Sequence, residues 1–316
     1  MFYLVTGGAG FIGSNLAEAL LAAGHRVRVL DNFLTGKMQN LAGFAERFGG
    51  SFELVEGDLR DLAMTRKAAD GVDFVLHQGA LPSVPRSVAD PVLSNGINVG
   101  GTVNLLVAAR DAGVRRVVFA ASSSAYGDTP ELPKRESMTP RPKSPYAAQK
   151  LAGEHYMRIF FEVYGLETIS LRYFNVFGPR QDPASTYAAV IPRFITSVLT
   201  GKAPTVYGDG LQTRDFTFID NVVDANLRAC SAPREACGKV FNIACGERIS
   251  LLDILEVVYG LAACRVTPAF EPARQGDVRD SLADISMAKD QLGYSPKVPF
   301  PDGLSRTFNF FKGVER

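Results

Sequence analysis

The 316-residue chain is poor in the side chains that metal and disulfide chemistry need. It has four cysteines (Cys230, Cys237, Cys245 and Cys264) and three histidines (His25, His77 and His155). No Cys-x-x-Cys pair occurs, and no nearby His, Cys, Asp or Glu cluster suggests a metal. The thiols therefore read as buried groups of a reducing compartment, with neither a zinc site nor a disulfide frame expected. No apolar run approaches 18 residues, so no membrane span is expected. The N-terminus reaches a glycine cluster by residue 7 without a basic segment or long apolar leader, which makes the cytoplasm the expected compartment. A formal net charge of +1 with scattered basic residues argues against a general nucleic-acid binder, so any anion site must be local. No Gly-x-Ser-x-Gly elbow points to a hydrolase, and there is no internal repeat or low-complexity segment.

Short β-branched runs alternate with helical patterns over the first half. Phe2–Thr6, Arg26–Leu30 ending at Asp31, Phe52–Val55, Phe74–His77, Val117–Ala120 and Thr168–Leu171 read as strands. Phe11–Ala23, stopped by Gly24, reads as a helix, as do Asn98–Ala112 and Ser144–Tyr164. The alternation predicts an α/β fold: a doubly wound parallel sheet of Rossmann type, with ligands at the carboxyl ends of its strands. The pattern loosens after about residue 178. Residues 1–180 are expected to form a cofactor-binding domain and 181–316 a smaller α/β substrate domain, with part of 215–245 returning to the sheet. Ser250 is the expected cap of a helix over Leu251–Leu261.

Thr6-Gly7-Gly8-Ala9-Gly10-Phe11-Ile12-Gly13 joins the first strand to the first helix. Its glycines permit a tight turn, close approach of backbone to a pyrophosphate, and packing of helix on strand. The helix N-terminus adds free N–H groups. Asp31 ends the second strand, where a carboxylate accepts from adenine-ribose hydroxyls and repels a 2′-phosphate; NAD is favoured over NADP. Asp58-Leu59, ending the third strand, is placed to meet the adenine.

Tyr146 and Lys150 are four apart, hence on one face of a helix. An ammonium beside a phenol favours the phenolate, so the expectation is that Lys150 lowers the pKa of Tyr146 and also bonds the nicotinamide ribose. Ser122-Ser123-Ser124 ends the fifth strand, where a serine hydroxyl can bond a reacting oxygen and pass its proton. His77 ends a strand near the same place, and packing or a local hydrogen bond is expected of it rather than catalysis.

These segments, with Leu171–Gly178, Arg214-Asp215 and Arg274–Asp277, resemble the extended short-chain dehydrogenase/reductases over essentially the whole length, in particular the NAD-dependent nucleotide-sugar epimerases. The resemblance implies that Gly7, Gly10, Phe11, Ile12 and Gly13 hold the NAD pyrophosphate. Asp31 and Asn32 meet the adenosine ribose, and Asp58 and Leu59 the adenine. Gln78, Gly79, Ala80, Asn98 and Tyr173 stand at cofactor-contacting positions, although an apolar residue is more usual at 78. Ser122 aligns with the catalytic Ser/Thr, with Ser123 and Ser124 as fallbacks. Asn175, Arg214 and Arg274 match diphosphate-binding residues. Ala189, Val190 and Tyr207 match the uridine-binding segment, and Asp277 lies in the Arg274–Asp277 motif. The implied reaction oxidises C4 of a UDP-hexose to a 4-keto sugar, turns it, and returns the hydride to the other face.

Family dehydratases carry an Asp-Glu pair where this chain has Ser123 and Ser124, which speaks against dehydration. Ser281 stands where a tyrosine closes the family's pocket to N-acetyl groups, so UDP-N-acetylglucosamine and UDP-N-acetylgalactosamine are expected substrates, with UDP-glucose and UDP-galactose alongside. Ser83 resembles a sugar-facing serine of the N-acetylhexosamine-preferring epimerases; a plain loop serine is the other reading. A UDP-glucuronate 4-epimerase or decarboxylase, with Arg279 or Arg86 reading the carboxylate, and a non-enzymatic nucleotide sensor are the alternatives. A homodimer through the helices Asn98–Ala112 and Ser144–Tyr164 is implied by analogy.

Overall fold

The structure, a computed structural model, describes residues 1–183, 190–273 and 279–314. Ala189, Arg274 and Asp277 lie outside the described residues. Seven parallel strands form the central sheet: β1 (Phe2–Thr6), β2 (Arg26–Asp31), β3 (Phe52–Glu56), β4 (Phe74–His77), β5 (Arg116–Ser122), β6 (Glu167–Tyr173) and β7 (Val240–Ile243). Their order is β7-β6-β5-β4-β1-β2-β3. The chain runs outward from β1 in one direction and from β4 in the other, so the crevice between β1 and β4 is the topological switch point.

The strands are nearly continuous apolar runs because both faces are covered. Tyr3, Val5, Val27, Val29, Leu76 and Val118 face one layer, and Leu4, Leu30, Val75, Val117 and Phe119 the other. The first layer contains α1 (Phe11–Ala22). The second contains α2 (Leu62–Ala69). A short helix, α3 (Val84–Ala89), then leads into a long helical run, α4 (Pro91–Asp111), and the second layer is completed by α5 (Pro145–Tyr164). Ser144 caps α5 by accepting the Ala147 N–H at 3.2 Å, Pro145 fills the first position, and Gly165 in the left-handed region ends it.

One expectation is corrected. The helix expected from Asn98 begins at Pro91, where Asp90 accepts the Leu93 N–H at 2.9 Å. That extension gives Pro91–Asp111 the length and composition that a membrane-crossing helix has. Half of its apolar window is buried inside this protein, against α2 and α5, as in the core helix of an α/β layer.

The remaining described chain adds α6 (Val190–Leu199), α7 (Ile219–Ser231), α8 (Leu251–Ala262), α9 (Ser286–Leu292) and α10 (Phe300–Val314). Ser250 caps α8 with a full capping box to Asp253. Helices α6, α8 and α10 pack together, while α7 lies against α1 and the sheet. Three two-stranded pairings link this region: Thr205–Tyr207 with Ala269–Glu271, Thr213–Arg214 with Ile249–Ser250, and Val176–Phe177 with Thr217–Phe218.

Candidate active site

The glycine loop folds as its spacing requires. Gly7 has φ +64°, and a Cβ on Gly13 would stand 2.2 Å from the Gly7 carbonyl oxygen. α1 starts at Gly10 without a side-chain cap or an acidic first turn, so its terminal N–H groups are left for an acceptor that is not this protein's side chain. Asp31 closes on the loop: its carboxylate accepts the N–H of Ala9 and that of Phe33, each at 2.8 Å. Burial pushes the Asp31 carboxyl up and these backbone bonds oppose it. Asn32 donates to Asp58 at 2.7 Å, joining the ends of β2 and β3, and Arg60 beside Asp58 holds that carboxyl down to about 2. Uncapped N–H groups, a glycine cradle and a ribose-height carboxylate are a donor and acceptor set that fits NAD.

A hydrogen-bond chain locks the switch point. The Gly79 N–H donates to Thr6 Oγ1 at 3.1 Å, and Thr6 Oγ1 lies 2.7 Å from His77 Nδ1. His77 Nε2 lies 2.9 Å from Thr102 Oγ1, whose hydroxyl donates to the Asn98 carbonyl at 2.7 Å. Because Thr102 spends its proton on Asn98, His77 carries its proton on Nε2 and accepts from Thr6 on Nδ1. Every group is satisfied by a neutral imidazole, and burial together with the Lys150 charge pushes His77 down to about 3. His77 is thus a packed structural histidine.

Ser122, Tyr146 and Lys150 are brought together at the carboxyl end of β5. The Ser122 hydroxyl accepts from Ser124 Oγ at 2.8 Å and from the Ser124 N–H at 3.2 Å, and it draws the Tyr146 phenol down against burial. Its own proton is not spent on Ser124 and is left to face the phenol. Lys150 Nζ donates to the Ala120 carbonyl at 2.7 Å, and burial pulls it down to about 8. The expected lowering of Tyr146 by Lys150 is not what the isolated chain has. Burial pushes Tyr146 up to about 12, and the bond from Ser122 is what opposes it, because Lys150 aims its ammonium at β5.

Gln78 finds a physical account that its sequence context did not supply. Its amide lies 3.3 Å from the Tyr173 hydroxyl and 3.4 Å from Asn226 Oδ1, and Asn226 Nδ2 donates to Tyr173 at 2.8 Å. The three form a polar cluster joining β4, β6 and α7. Asn98 is 3% exposed and spent inside the protein. Its carbonyl oxygen accepts the Leu81 N–H at 2.7 Å, and its amide donates to Gln149 at 2.8 Å. It shapes the Gly79–Leu81 turn from behind. Leu59 is likewise buried, its side chain against Gly79 and Gly101. Ser83 caps α3, accepting the Arg86 N–H at 3.2 Å. Ala80 lies in the same turn, partly buried.

The C-terminal residues gather around two short pairings. Asn175, at φ +30°, donates to the Asp215 carbonyl at 3.1 Å. Arg214 donates to the carbonyls of Thr213 and Arg279 at 2.9 and 3.1 Å, and the Ser281 N–H donates to Thr213 O at 3.1 Å, which puts Ser281 beside Arg214. Tyr207 carries the Arg193 guanidinium over its ring at 5.8 Å, and Val190 opens α6, the helix that bears Arg193. Ser123 begins the turn after β5. Sequence reasoning missed Arg193, Asn226, Ser87, Glu154 and Arg172. Only Glu154 had a local signal, standing eight residues after Tyr146 on the same helical stripe.

Residues 3–244 match the model of the NAD dependent epimerase/dehydratase family. The chain belongs to that family. NAD is its cofactor, and the fold is the family's Rossmann-type α/β architecture. A UDP-glucose 4-epimerase of Mycolicibacterium smegmatis is 41% identical over 311 residues, covering 98% of each chain. Two solved structures superpose with a TM-score of 0.93. One is a UDP-N-acetylglucosamine 4-epimerase from Methanobrevibacter ruminantium in complex with UDP-N-acetylmuramic acid, 38% identical over 99% of this chain and 98% of its own. The other is a UDP-glucose 4-epimerase from Thermotoga maritima with UDP-glucose, 35% identical over the full length of both.

Proposed function

We propose that the protein is a UDP-hexose 4-epimerase acting on UDP-N-acetylglucosamine and UDP-N-acetylgalactosamine as well as on UDP-glucose and UDP-galactose. The observation that carries this reading is the placing of Tyr146 and Lys150 one turn apart on α5, both buried, with the Lys150 ammonium bonded to the Ala120 carbonyl of β5, the strand that ends at Ser122. Bound NAD supplies a reversible hydride acceptor. Tyr146 takes the proton of the sugar's C4 hydroxyl, and Ser122 holds that oxygen and steadies the phenolate. Lys150 orients the nicotinamide ribose and stays charged near the phenol. The same phenol would return the proton to the oxygen of the turned 4-keto sugar, completing the inversion with no net redox change.

In this reading Gly7, Gly10, Phe11, Ile12 and Gly13 bind the pyrophosphate of NAD, Asp31 and Asn32 its ribose, and Asp58 and Leu59 the adenine side. Gln78, Gly79, Ala80, Asn98 and Tyr173 build the nicotinamide end. Asn175, Val190, Tyr207 and Arg214 grip the nucleotide of the substrate, with Ala189, Arg274 and Asp277 assigned on the motif alone. Ser83, Ser123 and Ser281 border the sugar. Residues 1–180, with a return from 215–245, form the NAD-binding domain and 181–316 the substrate domain. Tyr156, Ile159, Val163 and Tyr164 leave an apolar stripe on α5 exposed, which supports a homodimer through that helix. Of the two cations that the glucuronate reading invokes, Arg279 forms an exposed bidentate pair with Asp209 at 2.9 and 3.0 Å.

Incubating the purified protein separately with UDP-galactose, UDP-N-acetylglucosamine and UDP-glucuronate, and separating the products by chromatography, tests the proposal. Inversion of the first two is the expected result. Conversion of UDP-glucuronate alone, or of none, overturns it.

A further inference from the structure

Tyr146, Lys150 and Glu154 recur at intervals of four on α5 and share one stripe of the helix. The stripe descends from the cleft into the protein: Lys150 and Glu154 are each 4% exposed. A carboxylate that deep must be compensated. Arg172 on β6 does so through both nitrogens of its fork, Nε to Oε1 at 2.8 Å and Nη2 to Oε2 at 2.7 Å. Arg172 is fixed in turn. Its guanidinium packs over the Tyr126 ring at 4.6 Å, and the Tyr126 hydroxyl donates to Asn242 on β7 at 2.7 Å. Its Nη1 is buried with no hydrogen-bond partner, so Glu154 is what holds this cation in place.

We propose that Glu154 is a positioning residue for the reaction: its buried carboxylate, clamped by Arg172 one helical turn beyond Lys150, keeps the Lys150 ammonium charged beside the phenol of Tyr146. Apolar side chains of similar volume would join α5 to β6 at least as well as a buried ion pair. The pair's place on the catalytic stripe gives it a further purpose. Among the described residues Lys150 itself bonds only a carbonyl, that of Ala120, and it faces the Phe119 ring at 4.8 Å. The titratable groups on the elements packed against it are the phenol of Tyr146 and the carboxylate of Glu154 on its own helix and neutral His77 on β4, while Arg172 on β6 is spent on Glu154. Against burial, which pulls the ammonium down to about 8, Glu154 is the charge that opposes. Without it burial alone would act on the ammonium, and a lysine, unlike an arginine, is able to shed its proton.

The activity arm of the test rests on the epimerase reading; the titration arm does not. Lys150 is titrated by NMR in 15N-lysine-labelled holoenzyme, its signal identified by its absence from Lys150→Met. Glu154→Gln is expected to lower the Lys150 pKa by about one unit or more, and to move the alkaline limb of kcat/KM for UDP-galactose down by the same amount. Glu154→Asp restores both. A Glu154→Gln protein in which Lys150 titrates as in the wild type, with activity lowered evenly at every pH, overturns the proposal and leaves the pair a structural strut. If the single variant does not fold, Glu154→Gln/Arg172→Gln, which strands no lone charge, carries the same test, and an unmoved lysine there overturns it equally. Should the wild-type protein convert no UDP-sugar, the functional reading fails while the lysine titration still decides the role of Glu154.

Discussion

The hydroxyl of Ser87 accepts the backbone N–H of Tyr146 at 3.0 Å and donates to the Val84 carbonyl at 2.7 Å. Tyr146 is the second residue of α5, so this N–H has no partner within its own helix. Ser87 is fully buried in α3, and it docks the first turn of α5 onto the segment that follows the Gly79–Leu81 turn. Ser87→Ala should cost about 1 kcal/mol of stability and, through a looser phenol, roughly a fivefold loss of kcat. Urea unfolding and steady-state kinetics check it; unchanged values in both would show that the docking is immaterial.

In the proposed reading, Tyr146→Phe removes the proton acceptor and leaves the NAD cradle intact. Turnover should fall at least about a hundredfold while the purified protein keeps its NAD. Extraction and assay of bound nucleotide, alongside turnover, separates this from a folding defect. Near-normal epimerisation by the variant would remove the phenol from the mechanism.

Ser281→Tyr places a bulky ring beside Arg214, at the edge of the sugar site in the proposed reading. Conversion of N-acetylated substrates should fall while UDP-galactose is spared. Unchanged ratios of kcat/KM between the two would put control of the pocket elsewhere.

His77 gives a pH signature of stability. Its folded pKa, about 3, lies below the 6.5 of the unfolded chain. Between those values the unfolded state binds a proton that the folded state refuses, so the stability contribution is whole above pH 6.5 and is lost as pH falls. Asp215 works the other way. Burial raises it from 3.8 to about 6, so it favours the folded state as pH falls through that window. Comparing wild type with His77→Gln isolates the histidine. Between pH 6 and 4.5 the slope of the variant's stability against pH should be less positive than the wild type's, by up to about 1.4 kcal/mol per unit. Parallel slopes in urea titrations at several pH values would mean that His77 charges in the folded state.

The strands up to β6 were legible because each is a short apolar run closed by a polar or glycine turn, and a strand buried on both faces carries that signal locally. The start of the helix at Pro91 was also written locally, in Asp90 and Pro91, but Gly96 and Gly100 interrupt its apolar pattern. β7 has no such signature. Val240–Ile243 is four residues long and takes its place only by pairing with β6, some seventy residues earlier in the chain.

By itself the sequence determined the chemistry on offer: a glycine turn for a pyrophosphate, a carboxylate at ribose height, and a tyrosine and lysine one helical turn apart. Those are properties of spacing within one element, and spacing survives without coordinates. Only the tertiary structure decided which serine meets the phenol, that Gln78 belongs with Tyr173 and Asn226, and that Glu154 faces Arg172. Each of those depends on elements distant in the chain meeting at one depth of the sheet. There burial sets the energy of every charge, and a group's neighbours, which no local pattern encodes, decide whether it is held.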